Sequence, residues 1–201
     1  MSTQADEIIG LYRRHSGAWT RARAAQKMVE KAWLERFCAL LHPGTEVLDI
    51  GCGAGEPVAR FIMARGHKVL GVDSAPEMLE LFRRNLPAAA TQLADMRQLQ
   101  LGRKFGGLIA WDSFFHLAHE HQRAMFPIFA EHAAALAPLM FTSGPAHGEA
   151  IGSLEGEALY HASLDGAEYR RLLDESGFDV MAHVAEDPGC GGRTVWLARR
   201  R

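Results

Sequence analysis

The chain has 201 residues, 48% apolar and 23% charged, with a formal net charge of −2. That is enough chain for one domain with a full core, and the near-neutral balance argues against a polyanionic partner such as nucleic acid. Cys38, Cys52 and Cys190 are an odd count without close pairing, which argues for a reducing compartment and against a disulfide framework or a cysteine-based zinc site.

Residues 5–24 carry Ile8, Ile9, Tyr12 and Trp19 among several arginines and read as a partly amphipathic helix or two short ones. From Gln26 to Leu41, apolar residues recur at helical spacing up to the stop "HPG". "TEVLDIG" is a buried, β-prone strand, "EPVARFIMARG" the helix after it, and "HKVLGVD" the next strand. "APEMLELFRRNLP" is a helix with Ser74 as its expected N-cap. "AATQLAD" is the third strand and "FGGLIAWDSFFHL" contains the fourth. The segment after it is helical in pattern, with Pro127 expected to kink or break it. "LMFTSG" is the fifth strand. Thr142 to Leu164 is the one long irregular stretch, a kind of segment that is often functional. A helix capped by Asp165 and stopped by Gly177 follows, and two strands joined through "PGCGG" close the chain. The alternation from Thr45 onward implies parallel pairing with crossover helices, and the closing hairpin requires one reversed strand. The opening residues carry no basic-then-apolar leader, and the longest apolar run, Ala133 to Phe141, is too short to cross a bilayer. The expectation is a cytoplasmic protein that engages no membrane.

"VLDIGCGAGEP" places Gly51, Gly53 and Gly55 between a strand and a helix, where open α/β sheets bind ligands. Glycine there lets main chain approach a ligand closely. A dinucleotide fingerprint would need a third glycine at position 56, and that residue is Glu56. A carboxylate at the helix start would repel a pyrophosphate, whereas it leaves a phosphate-free sulfonium cofactor unopposed.

The stretch "VLDIGCGAG", followed in order by "VLGVD", "LADM" and "FGGLIAWDSFFHL", resembles the motifs of class I S-adenosylmethionine-dependent methyltransferases. The resemblance implies an α/β, Rossmann-like, doubly wound seven-stranded sheet of order 3-2-1-4-5-7-6 with the seventh strand antiparallel. It implies a single domain over 1–201, with residues 1–42 as a helical cap and 45–201 as the core. It gives Asp73, followed by Ser74, the ribose hydroxyls, and Asp95 with the Met96 amide the adenine. It makes Gly51, Cys52 and Gly53 the turn that cradles S-adenosylmethionine, sets Asp49 to support that turn or the cofactor's ammonium, and puts the Trp111 carbonyl near the cofactor's amino-acid part or the substrate mouth. "LYRRHSGAWTRARA" is similar to the entry segment of the small-molecule enzymes, which makes Tyr12, Trp19 and Arg23 cofactor contacts that close over the methionine end. Asp112, Phe115, His116 and Tyr160 would stand at the substrate mouth.

A hydroxyl or ammonium acceptor needs a base, and His147 and His161 are the candidates favoured among Asp112, His116, His147, Glu149, Tyr160 and His161. A histidine bonded to loop main chain explains His147 as well as catalysis does. His116, His119 and His121 do not share one helical face, so no metal is expected. The implied activity is methyl transfer from S-adenosylmethionine to a small-molecule O or N acceptor, by a monomer or homodimer. A non-catalytic nucleotide-binding module, a protein methyltransferase and a dehydrogenase are the alternatives.

Overall fold

Val47, Leu48, Asp49 and Ile50 are buried in succession in β1 (Glu46–Ile50), the pattern of a strand covered on both faces. In the computed structural model, which describes residues 4–201, β1 is central to a seven-stranded sheet. β2 (Lys68–Asp73) and β4 (Gly107–Ala110) flank it in parallel. β3 (Ala90–Leu93) and β5 (Pro138–Ser143) extend the sheet, again in parallel. Next come β6 (Gly148–Leu154) and β7 (Glu157–Ser163), which form a separate antiparallel pair. β8 (Phe178–Asp187) and β9 (Arg193–Arg200) complete the sheet, β9 lying antiparallel to both β5 and β8. The order is β3-β2-β1-β4-β5-β9-β8, the implied topology once the extra pair takes two numbers. Strand order reverses between β1 and β4, and the carboxyl ends splay apart there.

Successive strand residues divide between two cores. Leu48, Leu108 and Phe141 join one with Phe114, Phe126 and Trp196. Val47, Ile109 and Met140 join the other with Trp33, Phe37 and Phe82. Helices α2 (Lys31–Cys38), α3 (Val58–Ala64) and α4 (Pro76–Asn85) serve the second core, and α5 (His119–His132) and α6 (Gly166–Glu175) the first.

Four expectations are corrected. The helix read over 26–41 shortens to α2, because 26–30 turn instead. Ser74 is not the cap of α4; Ala75 is the N-cap residue, and the Asp73 carboxylate accepts its amide hydrogen at 2.9 Å. Pro127 lies inside an unbroken α5. It faces solvent, as does Arg123, whose carbonyl loses its helical partner because proline has no N–H to donate. The stretch 142–164 is not irregular: most of it is the β6–β7 hairpin. Its two-residue turn has φ of +52° at Glu155 and +84° at Gly156, the primed geometry that matches strand twist.

The hairpin packs on α1 (Gln4–Ala24), where Ile8 and Leu11 meet Leu154, Leu159, Tyr160 and Ala162. Glu157, beside the turn, accepts from Arg14 and pairs with His15, each at 2.5 Å. Helix and hairpin together form a cover above the carboxyl ends of the central strands.

Candidate functional site

The crevice under this cover holds about 1200 Å³ counted out to its mouth. The turn after β1 makes its floor. Gly51 and Cys52 donate their amides to the Val72 carbonyl at 2.8 and 3.0 Å, which ties the turn to β2. Gly51 has φ of +73°, and a Cβ on it would fall 2.3 Å from the Ser113 Cβ. No larger residue fits there. Gly53, at φ +51°, has nothing within 4 Å of where a Cβ would be. Its bare main chain faces open space.

Asp73 ends β2 beside this turn. One carboxylate oxygen accepts from the Gly53 amide and the other from the Ala75 amide, both at 2.9 Å. Burial still holds its pKa above the usual carboxylate value, although amides of Ala75, Gly53 and Ser74 pull the other way. A carboxylate has about four lone-pair sites, so each oxygen keeps capacity for a ligand hydroxyl. Asp49 is 2% exposed, and among the described residues its side chain has no hydrogen-bond donor. Burial, then the charge of Asp73, pushes its pKa up to about 7. Burial likewise lifts the Cys52 thiol well above its ordinary range.

Toward the β3 end, Arg97 grips Asp95 with its main-chain amide and guanidinium, and also reaches Asp6 at 3.1 Å. Burial of Asp95 opposes ionisation, but Arg97 outweighs it and holds the carboxyl below the usual range. Past β4, Asp112 has φ of +48° and receives Arg193 through two nitrogens at 2.8–3.0 Å. This pair fixes the Asp112 carboxylate at the crevice wall. Arg23 is buried and pairs with the wholly buried Glu30. Among the described residues the buried Trp111 indole N–H has no partner.

Every residue expected to contact cofactor lines this crevice: Tyr12, Trp19, Arg23, Asp49, Gly51, Cys52, Gly53, Asp73, Ser74, Asp95, Met96 and Trp111. Asp112 and His116 line it too. Four expected residues stand outside its wall. Phe115 packs against the rings of both His116 and His161, at 4.8 and 5.1 Å. Tyr160 is buried against the α1 helix, its hydroxyl donating to Glu149 at 2.7 Å. His161 lies behind His116, ring tilted against ring at 4.9 Å, and burial lowers its pKa. His147 is exposed and stacked on His119 at 4.4 Å.

Sequence reasoning missed part of the wall: Ile8, Ile9 and Met78 as an apolar side, Ser113 under the turn, and Arg97 on Asp95. The spacing of Ile8, Ile9 and Tyr12 on one helix was the available signal. Among the described residues no group of three His, Cys, Asp or Glu side chains can hold a metal ion, and no helix is long and apolar enough to cross a membrane.

Comparison with known proteins agrees with this geometry. The sequence profile of the methyltransferase domain matches residues 47–138. An O-methyltransferase of Pyrenophora dematioidea is 24% identical over 88% of this chain and 73% of its own length. A malonyl-[acyl-carrier protein] O-methyltransferase of Serratia marcescens is 33% identical over 47% of this chain, a match spanning only 36% of that relative. Among solved structures, an S-adenosylmethionine-bound amino pentose methyltransferase from Micromonospora echinaspora aligns with a TM-score of 0.71 at 19% identity, covering 92% of this chain and 96% of its own. A sugar N-methyltransferase from Streptoalloteichus aligns at 0.72 and 19%, covering 92% of each. The sheet and its glycine turn have the fold of these solved methyltransferases, and the segment 47–138 resembles the methyltransferase domain.

Proposed function

We propose that the chain is an S-adenosylmethionine-dependent methyltransferase acting on a small-molecule O or N acceptor. The observation that carries the reading is the Asp73 carboxylate bonded to the bare Gly53 amide at the open part of the turn. An acceptor pair for vicinal hydroxyls thus stands next to main chain that a ligand can approach. The wall suits a phosphate-free cation: five carboxylates line it, Asp49, Glu56, Asp73, Asp95 and Asp112, against Arg23 and Arg97. The unpartnered Trp111 N–H and the buried Arg23 supply donors for a carboxylate. The tight packing over Gly51 leaves no room for the side chains that would block the floor.

The chemistry supplied by the bound cofactor is an electrophilic methyl on a sulfonium that departs neutral. The chain's own residues bind, orient and exclude water. Asp73 and Asp95 fix the nucleoside, and the turn and Asp49 take the amino-acid end. Tyr12 and Trp19, edge to face at 5.6 Å, present aromatic faces of the kind that attract a sulfonium. The α1 helix and the hairpin keep water out, which strengthens every charge interaction beneath them. An acceptor that must lose a proton needs a base; His161 is the nearer of the two candidates, one ring behind the wall. The same reading has the protein working in the cytoplasm on a dissolved substrate, as a monomer or homodimer.

Calorimetry with S-adenosylhomocysteine tests the cofactor, and a panel of amine, phenol and carboxylate acceptors with S-adenosylhomocysteine release as readout tests the acceptor. Binding with a ligand-dependent rise in Tm is expected. No binding at high micromolar ligand overturns the reading.

A further inference from the structure

The Tyr12 phenol and the His116 imidazole meet inside the cover, and both imidazole nitrogens are engaged. Nδ1 lies 2.7 Å from the main-chain carbonyl of Tyr160. A carbonyl only accepts, so Nδ1 carries the hydrogen. Nε2 then presents a lone pair, 2.9 Å from the Tyr12 hydroxyl, and the phenol is the donor. The groups facing His116 are the rings of Tyr12, Phe115 and His161, at 5.4, 4.8 and 4.9 Å. Burial, joined by His161 and opposed by the Tyr160 carbonyl, lowers the imidazole pKa to about 3. A general base needs a lone pair free for the substrate's proton and a pKa near the working pH. His116 has neither.

We propose that His116 is a positioning residue: an uncharged acceptor that pins the Tyr12 phenol, and through it the first half of α1, over the crevice. The other polar ties from this half of the helix to the body lie nearer the surface: Arg13 to Glu77 at 3.3 Å, Asp6 to Arg97 at 3.1 Å, and Arg14 to Glu157. Such pairs hold little in water. The α1 backbone leaves helical geometry at His15, with φ of −113° and ψ of 16°, just past the pinned residue. The first half is therefore a distinct segment, held chiefly, among the described residues, by the apolar contacts of Ile8 and Leu11 and by the part-buried Tyr12–His116 hydrogen bond. The effect on ligand binding rests on the cofactor reading above, whereas the pinning itself does not.

The test uses the full chain with Tyr12→Phe, His116→Phe, the double variant, and His116→Gln, which keeps an acceptor. Amide hydrogen exchange over residues 4–14 is measured without ligand, and S-adenosylhomocysteine affinity by calorimetry. Tyr12→Phe and His116→Phe are each expected to speed exchange and weaken binding about fivefold, the size of one net hydrogen bond. The double variant is expected to match the worse single, and His116→Gln to stay near wild type. Additive losses in the double variant, or unchanged exchange in Tyr12→Phe, overturn the proposal. So does a loss of kcat of about 100-fold or more in His116→Gln at unchanged affinity, the mark of a base. Should His116→Phe fail to fold, exchange in Tyr12→Phe decides alone. A wild type that binds no S-adenosylhomocysteine removes the cofactor reading, while the exchange comparison still decides whether the helix is pinned.

Discussion

Replacing Asp49 by asparagine should make the protein more stable near neutral pH and leave it little changed in acid. The carboxyl is 2% exposed, lacks a hydrogen-bond donor among the described residues, and sits under the negative charge of Asp73. Its pKa rises from 3.8 to about 7. About 3 units at about 1.4 kcal/mol each give a ceiling of ~4 kcal/mol for ionising it in the folded chain. Because the folded value is the raised one, its stabilising contribution is complete below the unfolded value and is lost as pH climbs through the folded value. The asparagine variant is neutral throughout and escapes that loss. Urea unfolding of both proteins at pH 4, 6 and 8 should show the stability gap widening in the variant's favour by roughly 2–4 kcal/mol from acid to base. A gap that stays flat across this range would mean that Asp49 ionises unhindered, and the electrostatic account of the crevice floor would be wrong.

Asp73→Ala should weaken S-adenosylhomocysteine by roughly 1–3 kcal/mol in calorimetry, through lost charge-assisted hydrogen bonds; unchanged affinity would mean the ribose is held elsewhere. Gly51→Ala combines a φ of +73° with a Cβ 2.3 Å from that of Ser113, so chemical denaturation should report a loss of at least ~2 kcal/mol. Arg193→Met leaves the Asp112 carboxylate, 13% exposed, without its partner. A loss of about 1–3 kcal/mol follows for this partly exposed charge-assisted pair, and adding Asp112→Asn should recover part of it; no recovery would show that the guanidinium packs rather than pairs.

The sheet was legible because its determinants are local. A parallel strand buried on both faces reads as a contiguous apolar run, as in Val47–Ile50, and a turn that needs positive φ beside a packed neighbour reads as glycine, as at Gly51 and Gly55. The fourteen crevice residues were named through the resemblance to the methyltransferase motifs, and they stand at or just past strand ends or on one stripe of α1. The hairpin was illegible for the opposite reason. Residues 149–153 of β6 are all exposed, so no alternation marks the strand, and Gly148 and Gly152 read as loop. Its turn, Glu155-Gly156, lacks the usual Asn or Asp before glycine.

Pairings were the other gap, and they change what the named residues do. Asp112 is held at the crevice wall by Arg193, 81 positions on, which claims both of its oxygens. His116 is met by Tyr12 from 104 positions before and by the Tyr160 carbonyl from 44 after. These partners come from α1, the hairpin and β9, elements that reach the site only through the finished fold. The half of the crevice that would hold the cofactor on the proposed reading is therefore set by short-range features of β1, β2 and β4. The half that would choose the acceptor is set by the cover. On the proposed reading, a change on the hairpin can reshape it without disturbing the turn at Gly51–Gly55, so acceptor preference should respond to substitutions in the β6–β7 pair that leave S-adenosylhomocysteine affinity nearly intact.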